Sequence, residues 1–153
     1  MIRFSDFLQP ARIRLSISST RKREAIKEIA NILDGTPEIV DRERFLKDIF
    51  EREAVEATGI GNGVAVPHAR TDAVKELVIA VGRSEHGIEF GAVDGKPVRL
   101  IFVMGTPRAN VTDYLKILAQ LSRVVRCPGC LEKVIAATEP EEIIKVFRAL
   151  EEP

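Results

Sequence analysis

Neither sign of charge dominates this sequence. Lysine and arginine total 23, aspartate and glutamate also total 23, and the formal net charge is zero. Proteins that bind a nucleic-acid backbone normally carry a basic excess, because much of their affinity comes from displaced counterions. The balance therefore argues against nucleic-acid binding, and the short basic run at residues 21–23 is interpreted as the solvated first turn of a helix.

Long apolar runs are also missing. No stretch approaches the roughly 20 apolar residues that span a bilayer. Asp6 interrupts the N-terminal segment before an apolar run develops, which is not the pattern of a secretory signal. We therefore expect a cytoplasmic protein.

Cysteine and histidine are scarce. Cys127 and Cys130 form a C-x-x-C motif, and the two histidines, His68 and His86, lie far from it in sequence. A structural zinc site needs four ligands, and a thioredoxin-like motif normally follows the first strand of a βαβ unit. Because this motif instead follows a long predicted helix, we predict a Pro-Gly turn between two helices and expect neither zinc nor redox function. A redox couple or half of a zinc site is the alternative.

The remaining composition is that of an ordinary globular protein, with 45% hydrophobic and 30% charged residues in a chain of 153. This length suits one core, so we predict a single domain over residues 1–153. Apolar runs at residues 77–81 and 98–103 indicate central strands that are covered on both faces. The other predicted elements are strands at residues 13–17, 64–66 and 87–91, and helices that begin near Thr20, Asp41, Thr112 or Asp113, residue 131 and Thr138.

Strands and helices alternate along the chain. This order predicts an α/β fold with a mixed β-sheet and helices on both faces. In the helix near Thr112, the predicted inward face holds Leu115, Leu118, Leu121 and Val125.

The segment from Thr58 to Gly63 contains three glycines at alternate positions, which predicts an irregular loop. Such a loop lets backbone N–H groups approach an anion closely. It matches neither a Walker loop nor the G-x-G-x-x-G dinucleotide motif, so the glycine pattern alone is weak evidence.

His68 follows Pro67 at the end of the short apolar run and is the candidate for chemistry. A neutral imidazole keeps one lone pair free near physiological pH, so it can accept a phosphoryl group through a reactive N–P bond. Donors that could neutralise the phosphate charge are Arg52, the hydroxyl of Thr58, the amide of Asn62 and the N–H groups of the loop. On the residues alone, a hydrogen-bonded structural histidine is the alternative.

Two further polar residues are open to a functional or a solvated interpretation. Arg70 could reach the phosphate or a partner, or it could be a solvated loop residue. His86 lies in a predicted polar turn and is interpreted as a surface residue.

The motif from Thr58 to Arg70, with Arg52 and Glu53 before it, resembles the active-site signature of enzyme IIA domains of the fructose/mannitol class. These domains belong to the bacterial phosphoenolpyruvate-dependent sugar phosphotransferase system and include the nitrogen-regulatory IIA proteins. Gly-Asn-Gly and Ala-Val-Pro-His carry the resemblance, which extends over nearly the whole chain.

The resemblance implies the mannitol/fructose-type IIA fold, with His68 accepting a phosphoryl group from the phosphorylated carrier HPr. The phosphate then passes to a cysteine of a IIB domain, or regulatory target proteins detect its presence. Arg52, Thr58 and Asn62 match family positions around the phosphate. No cofactor, metal or nucleic acid is implied, and any membrane permease is a peripheral partner.

Tyr114 departs from the family pattern, because many members carry a second histidine at that place. A tyrosine with a pKa near 10 can donate one hydrogen bond to phosphate but offers no cation at neutral pH. Acceptance by His68 is expected to persist, whereas efficient transfer to a sugar-specific IIB is not, so a regulatory role is slightly favoured over sugar uptake. The alternatives are a core-covering role for Tyr114 and, for the protein, a non-catalytic anion- or protein-binding module.

Overall fold

The computed structural model describes residues 2–151, in which the chain forms six β-strands and five α-helices around one sheet. The strands are β1 (Ile13–Arg14), β2 (Gly59–Gly61), β3 (Val64–Ala65), β4 (His68–Arg70), β5 (Val78–Ile88) and β6 (Val98–Thr106). The helices are α1 (Lys22–Ala30), α2 (Arg42–Val55), α3 (Val111–Val125), α4 (Pro128–Ala136) and α5 (Pro140–Glu151). Within the described residues, no helix has the length and apolarity that a bilayer crossing needs.

The sheet is mixed, as predicted. Its order is β1-β5-β6-β3-β2, and β4 also pairs with β6. Antiparallel pairing joins β5 to β6 and β2 to β3, whereas β1 is parallel to β5 and both β3 and β4 are parallel to β6. Pro67 lies between β3 and β4, where it has no N–H to donate but its carbonyl accepts the N–H of Met104 (3.0 Å). His68 therefore pairs with Met104 at the start of β4.

Helices cover both faces of the sheet, which confirms the predicted fold class. Side chains alternate along a strand, so Ile79 and Val81 of β5 pack in a cluster with α3, α4 and α5. Val78 and Ala80 pack on the opposite face in a cluster with α1 and α2. Burial on both faces explains why the central strands are continuous apolar runs.

The glycine-rich segment is a β-hairpin, so the predicted irregular loop is wrong. β2 and β3 are antiparallel and are joined by Asn62 and Gly63, whose φ angles are 57° and 78°. Two successive positive φ values are what a type I′ turn requires, and Asn-Gly is the dipeptide that adopts it most readily. The glycine pattern therefore has a conformational cause.

The first helix begins differently from the prediction. α1 starts after Arg21 with no side-chain cap, so the predicted cap at Thr20 is wrong. The serines before the helix instead bind Glu28, whose carboxylate accepts the N–H of Ser19 at 2.9 Å. This contact fixes the segment before α1 to a side chain within the helix rather than to its N-terminus.

Caps begin the next two long helices. Asp41 caps α2 as predicted, and its carboxylate accepts the N–H of Arg44 at 3.1 Å. α3 is capped by Asn110, whose carbonyl oxygen accepts the N–H of Asp113 at 3.4 Å. The predicted caps at Thr112 or Asp113 are therefore wrong, because the helix starts earlier than its apolar pattern indicates.

The buried face of α3 is also turned from the predicted one. Leu115 is 57% exposed, whereas Tyr114 and Ile117 are buried. Leu121 and Val125 face the core as predicted. The correction brings the aromatic ring of Tyr114 onto the sheet.

β5 is longer than predicted. It ends at Ile88, so it includes the first two residues of the edge strand expected at residues 87–91, and no separate strand forms there. Its pairing with β6 shifts register between Arg83 and Ile88. Gly87 has a φ of 83°, and a Cβ there would lie 2.7 Å from Cβ of Pro97, so only glycine fits this irregularity. His86 is exposed on the strand.

The two cysteines form a disulfide at the start of α4. The sequence predicts a Pro-Gly turn here; instead, Pro128 and Gly129 are the first residues of the helix. The fixed φ and missing N–H of proline suit the first helical position, which explains the difference.

Candidate functional site

His68 begins β4 and lies on the face of the sheet that carries α3. The neighbouring Ala69 packs in the cluster of the opposite face, so the imidazole lies on the face that carries Tyr114 of α3. Nδ1 lies 2.7 Å from the carbonyl oxygen of Val66, two residues earlier. Because a carbonyl oxygen can only accept, Nδ1 carries the proton, and Nε2 keeps its lone pair.

A cleft of about 600 Å³ opens beside the ring. It is lined by residues of α2, β4, α3 and the loop before α3, namely Asp48, Glu51, Arg52 and Val55 of α2, His68, Ala69 and Arg70 of β4, Arg108 of the loop and Tyr114 of α3. Three of these side chains are guanidinium groups that cannot lose their charge. The cleft therefore suits an anion.

Burial lowers the pKa of His68, and the nearby charge of Arg52 lowers it further. The bond to Val66 and the charge of Glu53 act in the opposite direction but do not reverse the shift. The ring is consequently neutral at pH 7, the form in which Nε2 is a nucleophile.

Arg52 lies near the end of α2, half-buried between the two openings that His68 lines. One of its terminal nitrogens donates to the carbonyl oxygen of Glu56 at 3.1 Å. A guanidinium has five N–H donors, so this bond orients the side chain and leaves others for a ligand.

Thr58 lies in the second, smaller opening beside His68, but its hydroxyl donates to the carboxylate of Glu53. Its N–H donates to the same carboxylate at 3.2 Å. A threonine hydroxyl has one proton, so in this arrangement the Thr58 hydroxyl is engaged by Glu53 and does not donate into the opening.

Glu53 was not among the predicted site residues, yet it organises this region. It is 8% exposed, and Lys22 of α1 contacts its carboxylate at 2.6 Å. The sequence signal was an acid on the inward side of α2, where only a paired charge is tolerated.

Asn62, for which the resemblance implies a phosphate-binding role, is not brought to His68 in this arrangement. Its side chain donates to the carbonyl oxygen of Val125 at 3.2 Å, and its N–H donates to Asp94 at 3.1 Å. It lines neither opening that contains His68. The turn directs the residue towards the end of α3 instead.

Tyr114 lies beside the histidine, with 5.3 Å between ring centroids and 38° between ring planes. It is 8% exposed and belongs to the core cluster, so it both covers the core and lines the cleft. Burial raises its pKa, and the phenol therefore keeps its proton for donation.

The remaining polar candidates divide between the cleft and the surface. Arg70 is exposed and lines the cleft. Arg108, which the sequence interpretation missed, lines it from the loop before α3 and lies 3.7 Å from Asp72. Its signal was a cation two residues after the end of the apolar strand β6. His86 does not line the cleft.

Exposed apolar side chains surround the openings. Val55 lines the cleft, Ile60 and Val93 line the second opening, and Leu115 follows Tyr114 on α3. All four are among the large apolar residues that the described structure leaves exposed.

The family model described as the phosphoenolpyruvate-dependent sugar phosphotransferase system, EIIA 2, matches residues 6–149. The chain belongs to this family. Its members are phosphoryl carriers that use a phosphohistidine, so the family resemblance of the sequence is confirmed.

Curated relatives fall into sugar-uptake and nitrogen-regulatory proteins. The fructose-specific EIIA component of Haloferax volcanii is 35% identical over 135 residues, which cover 88% of each chain. A nitrogen regulatory protein of Pseudomonas aeruginosa is 27% identical over 146 residues, 95% of each chain. The fructose-specific EIIABC component of Bacillus subtilis is 30% identical over 146 residues, and there the chain spans only 23% of the relative's length.

Solved structures confirm the fold. Nitrogen regulatory protein IIA-Ntr from Neisseria meningitidis superimposes with a TM-score of 0.87 at 27% identity, covering 94% of this chain and 97% of that one. IIAMTL of Escherichia coli, in its complex with phosphorylated IIBMTL, gives 0.80 at 19% identity, covering 93% and 97%. The second likeness establishes the fold alone.

Proposed function

We propose that Nε2 of His68 accepts a phosphoryl group from phosphorylated HPr and passes it to a second protein. The bond from Nδ1 to Val66 is the observation that carries this proposal, because it leaves Nε2 as the free nucleophile. Nε2 forms a bond to phosphorus while the N–P bond of the donor breaks. The proton stays on Nδ1, and its hydrogen bond to the carbonyl oxygen of Val66 is kept throughout, so the ring keeps its orientation.

The charges of the cleft support phosphate better than a neutral ligand. Arg52, Arg70 and Arg108 surround the ring, and the hydroxyl of Tyr114 is a further donor. Cations placed before the reaction stabilise negative charge without reorganisation. Arg52 and Tyr114 are therefore proposed to stabilise the phosphate, whereas Thr58 is proposed to position the segment through Glu53.

The apolar rim of Val55, Ile60, Val93 and Leu115 is proposed as the surface that meets HPr and the acceptor. A phosphoryl group passes directly between proteins only if both can bring their reacting atoms together. Val55, Ile60 and Val93 line the two openings beside His68, and Leu115 follows Tyr114 on α3. The acceptor is a IIB domain or a regulatory target. This role places the chain in the cytoplasm, with any permease as a peripheral partner.

Within this proposal, regulation is favoured over sugar uptake. A phenol has no cationic form, so Tyr114 supplies no positive charge beside His68, and burial, which raises its pKa, keeps it protonated. Relatives of both kinds are similar to this chain, so the tyrosine decides the preference.

The test uses phosphoenolpyruvate labelled with ³²P, together with enzyme I and HPr. Wild-type protein is expected to gain an acid-labile label, and His68→Ala is expected to gain none. His86→Ala is the matched control, because His86 is exposed and does not line the cleft; it should be labelled like wild type. An unlabelled wild type that still binds partners would indicate a non-catalytic binding module and would contradict the proposal.

A further inference from the structure

A second chemical group lies at the opposite end of α3 from Tyr114. The disulfide joins Cys127, the residue before α4, to Cys130 in the first turn of that helix, and their Cα atoms are 5.2 Å apart. Both cysteines are half-buried, and the two residues between them are exposed. A small thiol can therefore reach the sulfur atoms from solvent.

A purely structural bond is poorly motivated here. The disulfide closes a loop with a sequence separation of three, and short loops give the least stabilisation. Hydrogen bonds already order the segment, because the carbonyl oxygen of Cys127 accepts the N–H groups of Cys130 and Leu131, each at 3.0 Å. The backbone turn does not depend on the covalent bond.

The position instead suits exchange chemistry. A C-x-x-C pair at a helix N-terminus has its thiolate stabilised by the helix dipole, which favours attack on a disulfide. Cys130 also lines a groove of about 480 Å³ between α4 and α5, where Lys133 and Lys145 outnumber the single acid Glu142. The positive balance favours a thiolate and an anionic thiol such as glutathione.

We propose that Cys127 and Cys130 are a reversible redox pair that exchanges with glutathione-class thiols. When the reduced pair is oxidised, one protein thiolate attacks the S–S bond of glutathione disulfide and releases one glutathione. The second protein thiolate attacks the mixed disulfide and releases the other. One disulfide breaks and one forms, two electrons pass to glutathione, and the two thiol protons end on the released glutathione molecules.

The test equilibrates the folded full chain in glutathione buffers that range from fully reduced to fully oxidised. Free thiols are then trapped by alkylation and counted by mass spectrometry. We expect the pair to pass from doubly alkylated to unalkylated within this range and to follow the same curve from either starting state. A disulfide that glutathione reduces only after denaturation, or thiols that stay reduced in the most oxidising buffer, would overturn the proposal.

Variants separate this site from the phosphoryl site. Cys127→Ser and Cys130→Ser should each accumulate a glutathione adduct, because the resolving thiol is missing, and the double variant should accumulate none. His68→Ala should titrate like wild type, since its ring is not part of the exchange. The absence of an adduct on both single variants would contradict the proposed mechanism even if the wild type oxidises.

Discussion

The hairpin of β2 and β3 and the strand β4 are neighbours in sequence, yet they contribute to the molecule in different ways. Asn62 and Gly63 have left-handed backbones and turn the chain. His68, two residues after Val66, lines a cleft with three arginines and is proposed to act as the nucleophile through Nε2. A single compact motif therefore contains a conformational part and a chemical part.

Residues that are close together in a sequence motif therefore need not share a role. Asn62 directs its amide to the end of α3, whereas Arg52 reaches the histidine from a separate helix. Substitutions in the hairpin should reduce stability, and substitutions around the cleft should reduce phosphoryl transfer. The following predictions test that division.

Arg52→Ala should have the largest effect on transfer. Removal of one preorganised donor to a developing anionic charge costs about 100-fold in rate, and we expect a loss of this size in phosphorylation by phospho-HPr. Rapid-quench measurement of labelled protein gives the rate. Arg44→Ala is the control, since Arg44 lies on the same helix outside the cleft; an equal loss in both variants would show that the effect is not local.

Gly63→Ala should destabilise the fold and leave transfer intact. A non-glycine residue in the left-handed region costs about 1–2 kcal/mol, and an added Cβ at Gly63 meets only ordinary contacts, the nearest at 3.7 Å. Urea unfolding measures the free energy. Gly129→Ala is the control, because that position has open space and no positive φ. A large loss of transfer by folded Gly63→Ala would break the division.

Tyr114→Phe should have a smaller effect than Arg52→Ala. The substitution keeps the buried ring and removes one neutral hydrogen-bond donor, worth about 1 kcal/mol, so the phosphorylation rate should fall roughly five-fold. The same rapid-quench assay measures it. No change at all would assign Tyr114 to the core alone.

The pH dependence of the phosphorylation rate should differ least from that of an ordinary histidine. Burial and the charge of Arg52 lower the pKa of His68. At a pH equal to the ordinary histidine pKa, about 6.5, most of the rings are therefore still neutral. The phosphorylation rate should be flat above that pH and decline only on further acidification. The lowered pKa of His68 also affects the free energy of unfolding. Its contribution is fully present above the pKa of histidine in the unfolded chain and is lost as the pH falls through the lower pKa of His68 in the folded protein.

In Arg52→Ala, the acid limb of that profile should move to higher pH, because one cause of the lowered pKa is removed. His86→Ala should leave the limb in place. An acid limb at the ordinary histidine value in wild type would contradict the environment described for His68.

The fold and the reactive residue could be predicted from the sequence because their signals are local. Continuous apolar runs identified the central strands, and the alternation of elements identified the α/β class. His68 was found because it follows a proline at the end of a short apolar run, although in the structure it begins a further strand, β4. The hairpin was missed although its signal, Asn-Gly, was present, since the glycines were interpreted as an anion cradle.

The surroundings of His68 could not be predicted in the same way. Arg108 comes from a loop 40 residues further along the chain, and the Lys22–Glu53 pair joins two helices. Tertiary packing alone brings these groups together. The hydroxyl of Thr58 is a further example, because only the folded structure shows that it donates a hydrogen bond to Glu53.

The proposed function depends most on the hydrogen bond that Nδ1–H of His68 donates to the carbonyl oxygen of Val66. This bond leaves Nε2 as the nitrogen that is proposed to take the phosphoryl group. Long-range ¹H–¹⁵N NMR of the phosphorylated protein identifies the substituted nitrogen directly. We expect a single phosphohistidine at His68, with phosphorus on Nε2 and a proton on Nδ1. Phosphorus on Nδ1, or no modified histidine in labelled protein, would contradict it.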